Sequence, residues 1–336
     1  MACGWYNCRS SPVDSRLPIN SDTGSVLSDS NAWNDYWVGS RSGAAFNAEG
    51  ADHPVLDHFW RQALGEVTGT QRLIDLASGR GALLGYLPEE ASPDICCVDR
   101  SLAALASQRN LRPGILPVVA DVADIPFADQ GFDLVISQFG VEYGGAEAID
   151  RVYRLIAPGG RVILVLHRQN SIIDLECRNN LEALHKLREI EFLPLARSMF
   201  TAGYAVLKGQ AAREHALAHG RALLEPFRRL GELLGEHGEA AAGGTLLTLY
   251  QETARIQQRI QHHLEEEVIG WLETMEREIV QYEARMQSMT AAALSQESLM
   301  ERVAKAVEAG ITLEPAMEMN AQPDQALAWV LDGTRT

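Results

Sequence analysis

The stretch LIDLASGRGALL, residues 73–84, reads as a strand, a tight turn and the start of a helix. Leu73, Ile74 and Leu76 give a short buried strand, Ala77 to Gly81 are small enough for a sharp turn, and helical spacing resumes from Ala82 to Leu87. Such a turn lets backbone N–H groups and a helix N-terminus approach a polar ligand. Downstream, CCVDRS, residues 96–101, ends a second strand on Asp99, where a carboxylate can accept hydrogen bonds from ribose hydroxyls. The two segments together predict a nucleoside site. A dinucleotide fingerprint needs a third glycine three residues after Gly81, to pack helix on strand, and that position is Leu84, which argues against a nicotinamide dehydrogenase. Asp75, inside the first strand, is placed to answer a cationic or ammonium-bearing ligand.

Outward from the turn, strand and helix alternate. SLAALASQR is a predicted helix, and ILPVVADVADIPF is a third strand ending at Asp121. A fourth strand runs from Phe132 to about Phe139, a helix over about 146–156 carries Ile149, Val152, Tyr153 and Ile156 on one side, and RVILVLH is a fifth strand ending at His167. This alternation implies a parallel sheet covered on both faces, with ligands at the carboxyl ends of its strands. Near the end of the chain, Ser295 caps a helix that Gly310 terminates, and ITLEPAMEM and ALAWVL supply closing strands.

The 73–84 turn resembles motif I of the class I S-adenosylmethionine-dependent methyltransferases. Asp75, Gly79 and Gly81 match its acidic and glycine positions, Asp99 matches the ribose-binding acid, and Ala77 stands where that family has its first glycine. The helix, Pro-Gly-Gly turn and aliphatic strand around residue 158 match a further family feature in the correct order. The resemblance implies a Rossmann-like, doubly wound, mostly parallel seven-stranded sheet. It also implies S-adenosyl-L-methionine as cofactor, held by Asp75, Ala77, Gly79, Gly81, Asp99, Arg100, Asp121, Val122 and Gln138, with Asp121 facing the adenine amino group.

Such a core accounts for residues 31–167 and 295–336 and leaves 168–294 as an α-helical insertion between the fifth strand and the last core helix. Its expected helices are 172–190, a second ending near Leu207, 211–234 with a kink at Pro226, and one long stretch from Leu246 to Met289. A continuous helix of that length would reach roughly 60 Å. It would have to pack on other insertion helices, as a hairpin with 211–234, or on a second subunit as a homodimer through 211–290. The insertion is thus a lid, an acceptor pocket or a dimerisation element.

The chain has 336 residues, 46% of them hydrophobic, which is enough for a substantial core; a net charge of −16 argues against sequence-independent binding to nucleic acid or an anionic membrane. Five cysteines, Cys3, Cys8, Cys96, Cys97 and Cys177, are odd in number and lack zinc-ligand spacing, which favours a reducing cytoplasm. No apolar run approaches a membrane span, and the N-terminus lacks the basic-then-apolar order of a signal peptide. Residues 1–30 are expected to be flexible. After them come Trp33, Tyr36, Trp37 and Phe46, aromatics that either fold over the cofactor, as such a segment does in the resembling family, or simply pack on the core.

Catalytic candidates are Glu142 and Tyr143, after the fourth strand, and His167, at the end of the fifth. Each is placed to serve as a general base, His167 by its intrinsic pKa, or alternatively as a structural hydrogen-bonding group. The pair His215 and His219 lacks a third metal ligand, and His262, His263 and Glu265–Glu267 read as a solvated face, so no metal is expected. The expected reaction is in-line displacement of a methyl group onto an O or N atom, less readily C, of a small-molecule acceptor. A protein acceptor is the nearest alternative, and so is a non-catalytic subunit that docks a partner on its long helices.

Overall fold

The structure is a computed structural model that describes residues 33, 36–37, 53–108, 111–315 and 317–336. The expectations for residues 1–30, Phe46, Cys3 and Cys8 lie outside the described residues.

Helix α1 (Pro54–Leu64) precedes strands β1 (Arg72–Leu76), β2 (Asp94–Asp99), β3 (Leu116–Val119), β4 (Phe132–Gln138) and β5 (Ile156–His167), with α2 (Leu102–Gln108) before β3 and α3 (Ala146–Leu155) before β5. The chain closes with α9 (Gln296–Glu308), β6 (Ile311–Leu313), β7 (Glu318–Gln322) and β8 (Gln325–Arg335). The strands form one sheet in the order β3-β2-β1-β4-β5-β8-β6, with β7 also paired to β8. β1 to β5 are mutually parallel and β8 runs antiparallel to β5, β6 and β7. The doubly wound expectation is met, with eight strands in place of seven. The extra one arises because ITLEPAMEM is interrupted: β6 and β7 lie along β8 on either side of Pro315, which has no N–H for the ladder.

Alternation along each strand sends residues to opposite faces. Leu73, Leu134, Ile136, Ile163 and Val165 pack with Leu56, Trp60 and Leu64 of α1. Ile74, Leu76, Val135, Val162 and Leu164 pack with Ile149, Val152 and Tyr153 of α3 and Leu299 of α9. Arg302 fastens α9 to α3 through a 2.7 Å bond to Asp150 and one of 3.1 Å to the Ala146 carbonyl.

The helix expected after the glycine turn is only a 3-10 segment, Ala82–Tyr86, because Gly85 and Pro88 stop its propagation. β3 ends two residues before Asp121.

The insertion comprises α4 (Ile172–Glu189), α5 (Phe192–Leu207), α6 (Arg213–His237), α7 (Thr245–Gln258) and α8 (Glu265–Ala292). α6 stays one helix across Pro226. The single helix expected over 246–289 is divided by a break at Arg259–Leu264, and α8 begins on three glutamates that favour a helix N-terminus, the Leu264 N–H donating to Glu267. Nor does this stretch form one long hairpin with 211–234. α7 packs on α6, whereas α8 lies along α4 and α5. Leu184, Phe192, Phe200, Leu230, Leu246, Leu249, Leu272 and Ile279 make a separate helical core. At the other end, Ile173 and Cys177 of α4 and Met286 and Met289 of α8 enter the sheet core itself.

Candidate active site

The carboxyl ends of β1, β2, β4 and β5 converge on one edge of the sheet. β1 delivers Asp75 there in the hydrophobic interior, 1% exposed, with Oδ2 lacking any partner among the described residues. Burial, and then the neighbouring Asp99, hold its carboxyl well above the ordinary range. A ligand bringing positive charge or N–H donors would relieve both.

Beyond β1 the chain turns with Ala77, Gly79 and Gly81 at φ of +52°, +54° and +79°. Glycine enters that region freely, whereas Ala77 is strained in it. The turn is braced from below. Asp99 accepts hydrogen bonds from the Gly79 and Ser101 N–H groups, both at 2.8 Å, and buried Gln108 donates to Ser78 Oγ at 2.8 Å and to the Gly79 carbonyl at 2.7 Å. Burial raises the Asp99 pKa while those backbone N–H groups oppose the shift. From above, the Trp37 indole lies on Gly79, 2.9 Å from where a Cβ would stand, and Arg80 donates to the Trp37 carbonyl at 2.6 Å. Trp37 therefore packs directly on the glycine turn.

At the next corner Asp121 Oδ1 accepts from the Ala123 N–H at 2.9 Å, and Oδ2 lies 3.4 Å from Arg100. Val122 is buried behind them. Gln138, at the end of β4, accepts a hydrogen bond from the Trp60 indole N–H at its carbonyl oxygen, so α1 holds that part of the amide.

Glu142, Tyr143 and His167 form one connected set. Glu142 Oε1 accepts from the His167 backbone N–H at 2.8 Å, while Oε2 is buried without a partner among the described residues. Burial pushes the Glu142 pKa up to about 7. The Tyr143 hydroxyl meets His167 Nε2 at 3.0 Å, Phe139 stacks on the imidazole at 4.6 Å between ring centroids, and burial pushes the His167 pKa down to about 3. His167 is therefore neutral at pH 7. A neutral ring shares one hydrogen bond with the Tyr143 hydroxyl, the direction of which follows the tautomer.

Sequence reasoning missed Gln108, Ser137 and the role of Arg80, because their partners are far away along the chain. Ser137 Oγ donates to the Leu76 carbonyl at 2.8 Å and accepts from the Val141 N–H, tying the turn to the β4 loop. No local pattern signals such a bridge. Elsewhere, the His215 and His219 rings sit edge to face at 4.7 Å on α6. Glu182, Glu236 and His237 bring ligand atoms within 4.8 Å of one another. Between them, Lys186 Nζ lies 2.9 Å from Glu182, 2.6 Å from Glu236 and 3.3 Å from His237 Nε2, supplying the positive charge.

Residues 74–164 match the family model described as a methyltransferase domain. This stretch is similar to methyltransferase domains. Its span runs from β1 into β5 and includes the glycine turn, Asp99, Asp121, Glu142 and Tyr143. Among curated relatives, a demethylmenaquinone methyltransferase from Beutenbergia cavernae is 30% identical over 114 residues, 32% of this chain and 47% of the relative. A ubiquinone/menaquinone biosynthesis C-methyltransferase from Cupriavidus metallidurans is 31% identical over 103 residues, 28% of this chain and 42% of its own. A malonyl-[acyl-carrier protein] O-methyltransferase from Salmonella typhimurium is 30% identical over 113 residues, 32% and 45%. The chain thus spans about half the length of the curated relatives it matches, and the helical insertion lies outside the matched methyltransferase domain.

Proposed function

We propose that this chain is an S-adenosylmethionine-dependent methyltransferase acting on a small molecule, with transfer to carbon favoured over oxygen or nitrogen. The observation that carries the cofactor assignment is the Oδ2 of buried Asp75, unpartnered among the described residues, beside a turn of positive-φ residues that a cationic or N–H-bearing ligand would suit. In this reading Asp75 answers the positive end of the cofactor and the Ala77–Gly81 backbone lies along it. Asp99 accepts from the ribose, and Asp121 and Val122 border the adenine, with Arg100 and Gln138 framing the same cleft. S-adenosylmethionine supplies a methyl group activated by a sulfonium, so transfer is an in-line displacement in which alignment provides much of the acceleration.

The preference for carbon draws on the domain's relatives, two of which carry quinone-methyltransferase names, and on the chemistry at the end of β4. Methylation of a ring carbon releases a proton, and Glu142, with a pKa of about 7 and one unpartnered oxygen, is suited to hold it. The Tyr143–His167 pair orients the loop carrying Glu142 and offers a hydroxyl to the acceptor. Three buried free thiols, Cys96, Cys97 and Cys177, fit a reducing cytoplasm. Among the described residues no helix is long and apolar enough to cross a membrane. Pairing of two copies across residues 211–290 belongs to the same proposal and is checked by mass in solution.

Calorimetric titration with S-adenosylmethionine and S-adenosylhomocysteine, with NAD as control, tests the cofactor assignment. Binding of the first two alone supports it; binding of NAD, or of none, overturns it. Transfer of a labelled methyl group to a panel of quinols and phenols, with the product bond assigned by NMR, then separates carbon from oxygen.

A further inference from the structure

In a chain this acidic, a half-buried arginine with neither a carboxylate nor a backbone carbonyl partner among the described residues is conspicuous. Arg285 of α8 makes no ion pair among the described residues. Its guanidinium lies over two aromatic rings, 4.9 Å from the centroid of Tyr36 and 5.3 Å from that of Tyr282. The nearest acid along α8, Glu283, is bound by Arg188 of α4. Other half-buried arginines of the protein have oxygen partners: Arg72 pairs with Asp133 at 2.7 Å and Arg161 with Asp332 at 2.6 Å, while Arg80, Arg112 and Arg335 donate to backbone carbonyls. Burial pulls the Arg285 pKa down, and the two tyrosine rings only partly offset that cost.

Its place in the fold points toward the site. Tyr36 packs edge to face on Trp37, 5.0 Å between centroids, and the Trp37 indole lies on Gly79. Tyr36 also meets Trp33, whose ring meets Tyr143 at 5.5 Å, and Tyr143 bonds His167. α8 packs against the Val141–Gly144 turn that carries Glu142 and Tyr143. A continuous run of aromatic rings therefore connects the glycine turn and the proton-holding groups to a guanidinium, supplied by the insertion, that has no carboxylate among the described residues.

We propose that Arg285 recognises an oxyanion on a planar aromatic acceptor, so that the insertion sets acceptor specificity while the methyltransferase domain performs transfer. The inference rests on the methyltransferase reading above. A guanidinium offers paired N–H donors to a carboxylate or phenolate, and the neighbouring rings offer faces to the acceptor's π system. An anion there would offset the desolvation of the buried guanidinium.

The test is calorimetry on full-length protein saturated with S-adenosylhomocysteine, using 2-naphthoate and its neutral isostere 2-naphthamide as probes. Wild type should bind the anion at least about tenfold more tightly, and Arg285→Met should erase that preference without changing affinity for S-adenosylhomocysteine, whereas Arg285→Lys should keep part of it. Equal affinity of wild type for the two probes, or absence of naphthoate binding, overturns the proposal. So does an unchanged preference in Arg285→Met. A loss of S-adenosylhomocysteine affinity in that variant would assign the guanidinium to the cofactor and overturn it equally. Failure of wild type to bind S-adenosylhomocysteine at all is a different result, and it removes the methyltransferase reading itself.

Discussion

A Cβ placed on Gly140 would stand 2.4 Å from the Ala77 methyl carbon. Ala77 occupies the position where the resembling family has glycine, and it does so at φ +52°. The missing side chain at 140, on the loop after β4, is the space that the extra methyl at 77 fills. The departure in the glycine turn is thus accommodated across the sheet edge and does not by itself argue for a non-catalytic subunit.

This pairing predicts non-additivity. Gly140→Ala alone should destabilise by about 1–3 kcal/mol through overpacking against Ala77. Ala77→Gly should change stability by less than about 1 kcal/mol, relief of left-handed strain opposing a freer unfolded chain. The double variant should recover most of the Gly140→Ala loss. Urea unfolding of the four proteins measures the coupling, and simple additivity would refute the contact.

Asp75→Asn should leave the free protein folded, weaken S-adenosylmethionine binding by at least about tenfold, and change the pH dependence of stability. An acid whose folded pKa is raised above its ordinary 3.8 makes the protein less stable as pH rises from that value through the folded pKa, because the unfolded chain has already released its proton. The asparagine variant lacks this loss. Thermal melts against pH, with cofactor titrations beside them, check both parts; unchanged cofactor affinity would remove Asp75 from the site.

Glu142 and His167 act in opposite directions with pH. Glu142, raised from 4.5 to about 7, subtracts stability as pH climbs through that window, whereas His167, lowered from 6.5 to about 3, adds stability as pH climbs from 3 to 6.5. Between 4.5 and 6.5 the two slopes cancel. Glu142→Gln should therefore unmask a rise in stability across that interval, on the order of 3 kcal/mol. If Glu142 is the proton acceptor, kcat in the wild type should also rise with pH to a plateau above about 7, and the glutamine variant should lose that limb. A flat profile in both proteins would confine Glu142 to structure.

Excision of residues 211–290 should prevent folding of the whole protein. The cut removes Met286, 7% exposed, and Met289, 3% exposed, from the sheet core. Met289→Ala should cost about 2–5 kcal/mol in global unfolding. A soluble, cofactor-binding protein after the excision would show that the insertion is separable.

The sequence by itself determined the alternation of strand and helix, the turn at 77–81 and the acids at the ends of β1 and β2. These depend on local periodicity and on which residue types tolerate a tight turn, and both are written within a dozen positions. The break in the insertion's long apolar stripe was also locally marked, since Glu265, Glu266 and Glu267 favour a helix start, yet an unbroken spacing of three and four hid it at Arg259–Leu264. Only the tertiary structure decided that Gly140 makes room for Ala77, that Gln108 and Asp99 clamp the turn, that Trp37 covers Gly79, and that α8 carries Arg285 toward Tyr36. Each of these is a contact between segments whose separation along the chain is unconstrained by any period, fixed by the register of the sheet and by which helices bury each other's faces.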